Sequence, residues 1–211
     1  MSEATSMTKA SAEMQKRSFW RLVGYAALLG VVGAVAGMVF LGVTGVGASW
    51  YGDPGTGWFD GPVWWVGVAA LAGLVVGILR RVLKMPQKVP GLIEDLQAEH
   101  VDERSVPSIV AVSAVSLIGG ASLGPEVALG QIGGGTAGWI ARLRGLGDGD
   151  TKSLTLSSMA GAFGGLFSSP LISMALVIEV ARPARERFER TFFGSLVASS
   201  VAFGIYFAIV G

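Results

Sequence analysis

Residues 110–140 read VAVSAVSLIGGASLGPEVALGQIGGGTAGWI, and Glu126 is the only charged residue among them. An ionisable group at membrane depth costs about 2.5 kcal/mol or more, so it is retained where it has a task. Directly before it, Gly119-Gly120-Ala121-Ser122-Leu123-Gly124-Pro125 reads as irregular backbone that opens a helix. A helix that begins inside a membrane with an acid on its first turn has the makings of an anion site, because its free N–H groups and positive dipole end face the same point. The plainer alternatives are a Glu paired inside a helix bundle or one at the lipid–water boundary. The glycine and proline context favours the functional reading.

Composition agrees with a membrane protein. Hydrophobic residues make up 51% of the 211 and charged residues 15%, while the 32 glycines suit helices that pack closely in lipid. A net charge of +1 offers nothing to nucleic acid. Without cysteine there are no disulfides or thiolate metal sites, and the single histidine, His100, lies in a polar stretch. No nucleophile–base pair or metal set can be assembled from these residues, so the sequence argues against an enzyme and calls for neither cofactor nor metal.

Five apolar blocks follow one another, at about 22–46, 63–79, 107–140, 154–180 and 192–210. The first exceeds the ~20 residues a span requires and the second is near the lower limit. The third is too long for one span and breaks at 119–125; the fourth breaks at Ser168-Ser169-Pro170, since the residue before proline is pushed out of the helical region. Each of these two therefore reads as a pair of helices.

Basic residues cluster before the first block (Lys9, Lys16, Arg17, Arg21) and after the second (Arg80, Arg81, Lys84, Lys88). Further clusters follow the third (Arg142, Arg144, Lys152) and the fourth (Arg182, Arg185, Arg187, Arg190). The loop between blocks one and two instead holds Trp50, Tyr51, Trp58, Asp53 and Asp60, with Trp64 and Trp65 just after it. The positive-inside rule places the basic clusters in the cytoplasm and this loop outside. The expected protein is a multi-pass protein of the cell membrane with its N-terminus in the cytoplasm, a tail over 1–19 and a transmembrane domain over 20–211.

The polar stretch 84–108 predicts a short amphipathic helix around Leu92, Ile93 and Leu96, with Glu94, Asp95, Glu99 and Asp102 on its wet side. Pairs such as Gly33/Gly37, Gly130/Gly134, Gly134/Gly138 and Gly161/Gly165 have the spacing that lets helices approach closely, and packing is their default role. A phosphate loop would need a strand and a Gly-Lys-Ser/Thr ending, which are absent around Gly133 to Gly135.

Residues 122–134, SLGPEVALGQIGG, resemble the helix-F region of CLC chloride channels and chloride/proton antiporters, where S-x-G-R-E-G-P leads into a V-Q-I-G-G-like helix. Downstream, Ala162-Phe163, Phe167-Ser168-Ser169-Pro170-Leu171 and Val177-Ile178-Glu179 resemble the family's helices G and H. The resemblance covers about 22–211, the first of the two inverted repeats of a CLC subunit. It implies an all-α polytopic integral membrane protein with broken, re-entrant helices. It further implies transport of chloride or a similar small anion through a channel of the voltage-gated type, with Glu126 as the gating glutamate. Ser122, Gly124, Pro125 and Val127 would line the anion pathway, and Ser169, Pro170 and Glu179 would form the G–H junction.

The sequence departs from the pattern at several positions. Pro125 stands where the family has Arg, and Val127-Ala128 where it has Gly-Pro. The family's inner proton glutamate would fall on Val180, and the inner chloride-binding Ser on a stretch reading Lys88-Val89-Pro90-Gly91. The G-x-F-x-P segment of the family's second repeat does not occur within these 211 residues. Two alternatives therefore stay open: a proton-coupled chloride or fluoride antiporter, or a non-conducting fragment or subunit that needs a second repeat. The expected partners are the lipid bilayer and a second copy or second repeat, through the face of Gly130 to Gly138.

Overall fold

A computed structural model describes residues 2–49, 64–86, 88–122 and 124–210, with 2–17 and 64–65 described by their backbone alone. The aromatic loop (Trp50, Tyr51, Trp58, with Asp53 and Asp60), Leu123 and the side chains of Lys9, Lys16, Arg17, Trp64 and Trp65 lie outside the described residues. The described residues form eight helices and no strand: α1 (Ser2–Ser49), α2 (Trp64–Val82), α3 (Leu92–Ala98), α4 (Val106–Ile118), α5 (Glu126–Arg144), α6 (Asp148–Leu166), α7 (Pro170–Ala181) and α8 (Arg185–Val210). Both breaks expected inside the long blocks are present. Gly120 takes a left-handed φ of 81° between α4 and α5, and Ser169-Pro170 opens α7. There the Ser169 hydroxyl accepts from the Ile172 N–H at 3.4 Å, and Pro170 occupies a first-turn position that needs no N–H.

Helix α1 is longer than the apolar block, because helical backbone continues through the polar segment down to Ser2. Of the described helices, Ser18–Ser49 and Arg185–Val210 are long and apolar enough to cross a membrane, and α4 and α7 are shorter apolar helices.

Helix α6 is the centre: residues 153–165 are all buried. It is Gly-, Ala- and Ser-rich because α1, α5 and α8 come against it at backbone distance. A Cβ on Gly30 of α1 would overlap the Ala198 carbonyl of α8. One on Gly133 of α5 would come within 2.8 Å of the Ser158 carbonyl, and one on Gly161 within 3.2 Å of the Gly30 Cα. The remaining core is apolar, with Phe163, Leu129, Leu156, Met159 and Val177 fully buried together.

Ion pairs mark one end of the bundle. Arg187 meets Glu99 at 2.8 Å, Arg190 meets Asp150 at 2.6 Å, Lys152 meets Asp148 at 2.9 Å, and Arg142 pairs with Glu103. Arg144 lies 5.8 Å over the Tyr25 ring of α1. Toward the opposite end, Gly47 of α1 abuts Ile118 at the end of α4, and the described ion pairs are absent there. The chain thus runs away from the charged end along α1, α4, α6 and α8, and back toward it along α5 and α7. The basic clusters after the third and fourth blocks share one end, as the sequence requires.

The stretch around α3 corrects an expectation. Glu94 is exposed, but Asp95 and Glu99 are buried, at 5% and 9% exposure, while Ile93 points outward at 60%. Positions 92, 95, 96 and 99 share one helical face, and that face is turned inward. The second correction concerns the Gly130 to Gly138 face. Leu92, Met159 and Phe163 fill the space at Gly130, Val101 that at Gly134, and Glu103 that at Gly138. This face is spent inside the chain and is not open to a second copy.

Candidate anion site at the start of helix 5

Pro125 is the N-cap residue of α5 and Glu126 its first helical residue. The first intrahelical bond runs from the Leu129 N–H to the Pro125 carbonyl at 2.9 Å. The N–H groups of Glu126, Val127 and Ala128 precede it, so helix geometry gives them no intrahelical acceptor. Three donors and the positive dipole end therefore converge where the acid stands. The Glu126 carboxylate folds back over Gly124; a Cβ at position 124 would coincide with its oxygens. Only glycine leaves that space free. Ser122 and Gly124 are exposed, and Pro125, Glu126 and Val127 are half-buried. These five residues flank the helix end as its rim, with Leu123 among them outside the described residues.

The rim is recessed. Leu129, one turn into α5, lies beside Gly37 of α1, and α1 continues for twelve more residues to Ser49. At 1.5 Å per residue that is about 18 Å of helix beyond the level of Leu129, and about 13 Å beyond Glu126, three residues earlier. The α5 terminus therefore lies short of the end of α1, half-buried at Glu126 and exposed at Ser122 and Gly124.

The other expected site residues are placed apart. The α6–α7 junction lies at the end opposite the ion pairs, where Leu166 and Phe167 pack against the cluster that includes Leu129. Glu179 sits in the last turn of α7 and is exposed, while Val180 packs against the core. Among the described residues, no hydrogen bond or ion pair joins Glu126 to Ser169 or Glu179.

Sequence reasoning missed a second polar element on α5. The Gln131 side chain, 2% exposed, donates through Nε2 to Oδ2 of buried Asp95, while its Oε1 has no partner. Burial pushes the Asp95 carboxyl up to about 6, against the opposing pull of the Gln131 hydrogen bond. A signal was present: Gln131 is the only amide side chain in 110–140, and Asp95 is three residues from Leu92.

With this geometry in view, comparison with known proteins decides the family. The family model for the voltage gated chloride channel matches residues 72–211, well over half of the chain. The chain belongs to the CLC chloride channel family. Within that family it is 26% identical over 154 residues to a protein of Pseudomonas syringae pv. tomato named "Chloride/fluoride channel protein", covering 71% of this chain and 34% of that one. It is 28% identical over 153 residues to "Putative ion-transport protein YfeO" of Shigella sonnei, covering 70% and 36%. A YfeO of Salmonella newport is 35% identical over 68 residues, 32% of this chain and 16% of that protein. The match thus spans about a third of the length of the Pseudomonas and Shigella relatives. No solved structure matches it. Membership places the chain among membrane channel and transport proteins and not among enzymes.

Proposed function

We propose that this CLC chain supplies the Glu126-bearing half of an anion pathway, as one inverted-repeat half of a CLC-type subunit. Chloride is the first substrate and Glu126 the gate. The observation that carries the reading is the half-buried α5 terminus below the end of α1, where the Glu126 carboxylate lies over Gly124 next to N–H groups that have no intrahelical acceptor. A small anion and that carboxylate compete for the same donors. Protonation removes the charge that repels the anion and releases the side chain from the helix end.

In this reading the ion-paired end faces the cytoplasm, following the basic residues, and the α5 terminus opens toward the outer side. Residues 20–211 form the membrane domain, with 1–19 the tail that precedes it.

The test is anion efflux from proteoliposomes carrying the assembled protein, between acid and neutral pH. Glu126→Gln is expected to change chloride flux about threefold to thirtyfold, the range corresponding to about 0.7 to 2 kcal/mol for a charge at a helix terminus, and to flatten its pH dependence. An unchanged flux and pH profile would remove Glu126 from the gate.

A second substrate is favoured by one observation, the name "Chloride/fluoride channel protein" borne by the Pseudomonas relative. Fluoride efflux in the same vesicles separates the two: fluoride flux well above chloride flux assigns the pathway to fluoride. Val180, packed against the core where the family's inner proton glutamate would fall, supports conduction without tight proton coupling. A chloride gradient is therefore expected to drive no uphill proton movement. Uphill movement would transfer the inner proton role to another acid.

A further inference from the structure

We propose that Asp95 and Gln131 form a proton-operated latch between α3 and α5, closed when the Asp95 carboxyl is neutral and loosened when it ionises. The two side chains are 36 residues apart in sequence, and both are more than nine-tenths buried. They join the short inner helix to the helix whose first residue is Glu126. In the ionised state the pair is incomplete. Gln131 Nε2 donates to Asp95 Oδ2, but Gln131 Oε1 is buried without a donor, and a carboxylate has none to give. A proton on Asp95 Oδ1 supplies that donor. The acid and the amide then exchange two hydrogen bonds, the buried charge disappears, and the orphaned oxygen is satisfied in one step. The proton comes from water and no other group changes state.

The charges that act on Asp95 are Glu94 beside it, which disfavours ionisation, and His100 just past the helix, which favours it. The helices packed against α3 carry Glu126, Arg142 and Arg144 on α5, and Glu179 on α7 with Arg182 at its cap. None of these is among the causes acting on Asp95. Glu99, also on the inward face, is held by Arg187, and among the described residues no ion pair is made by Asp95. Burial thus dominates, and it places the transition near pH 6.

The latch is tested apart from anion flux, so its failure and the failure of the transport reading are distinguishable. Hydrogen exchange of the full chain in lipid nanodiscs, corrected for intrinsic rates, reads the protection of the α3 amides from well below to well above pH 6. Wild type is expected to lose at least about tenfold in protection as pH rises, one unit of pKa shift being a factor of ten in the latch equilibrium. Asp95→Asn offers both a donor and an acceptor to Gln131 at every pH, so its protection stays high and flat. A flat wild-type profile overturns the latch, as does an Asp95→Asn protein that follows the wild-type profile. Infrared spectroscopy gives a second reading that does not depend on Asp95→Asn folding. The carboxyl band that appears on acidification should shift in Gln131→Leu to that of an acid without its amide partner. An unshifted band overturns the proposal.

Discussion

Glu126 and Gly124 act as one unit, because the space of one is defined by the other. A methyl group at position 124 would take the place of the Glu126 carboxylate and push it off the helix end. Gly124→Ala is therefore expected to change anion flux in the same direction as Glu126→Ala while leaving the acid in the protein. Opposite directions in the two efflux assays would show that the carboxylate does not rest over Gly124. Asp95 gives a separate pH effect. Its carboxyl is raised from 3.8 to about 6, so between these values the folded chain holds a proton that the unfolded chain has released. Stability must then fall as pH rises through this window and level off above it. Thermal melts in detergent should show that slope in wild type and not in Asp95→Asn. The two acids also show what a sequence discloses. Glu126 stood out because no other charge lies within its apolar stretch. Asp95 was hidden among Glu94, Glu99 and Asp102, where charge density suggests a wet surface, and only the register of Leu92 and Leu96 carried the opposite message.

The helices owe their arrangement to glycine more than to apolar bulk. Where α1, α6 and α8 cross, side chains are replaced by backbone contact, and in lipid such packing substitutes for the hydrophobic force that is missing there. Glycines that serve this contact can be told from those that do not. Gly30→Ala would drive a methyl group into the Ala198 carbonyl, and overpacking of this kind costs about 1 to 3 kcal/mol. At Gly42, on the exposed side of the same helix, nothing lies within 4 Å, and Gly42→Ala should be neutral or stabilising by up to about 1 kcal/mol. Melting temperatures of the two variants in one detergent check the contrast; equal values would mean that α1 and α8 do not meet as described. The breaks before α5 and α7 were legible because Gly, Ser and Pro have strong local preferences that tertiary contacts do not override. The extension of α1 to Ser2 was not, since a polar run has no apolar period to announce a helix.

A partly desolvated chloride needs donors on several sides, because water removed without replacement costs several kcal/mol or more. The α5 terminus supplies donors from one side only. Its neighbours Ser122 and Gly124 are exposed, and among the described residues no hydrogen bond or ion pair joins the Glu126 side chain to another helix. The chain also spans only about a third of the length of the CLC relatives it matches. In the proposed reading the opposite wall comes from another chain or another repeat. It cannot be brought by the Gly130 to Gly138 face, which α6 and the segment after α3 already fill. Open apolar faces include those of α1 (Leu28, Val31, Val35, Val39, Val43) and α2 (Leu71, Leu74, Ile78), each exposed by 40% or more. A single copy of this chain is therefore expected to conduct no anions, whereas an assembly that closes the Glu126 rim is expected to conduct. Purified chain is reconstituted at low protein-to-lipid ratio, its copy number is counted by single-molecule photobleaching, and chloride current is recorded from the same vesicles. Selective current from a proven monomer would mean that one repeat encloses a pore by itself, with lipid or its own loops in place of the second wall. Current that appears only with two or more copies would assign that wall to a partner, and substitutions along the exposed faces of α1 and α2 would then locate it.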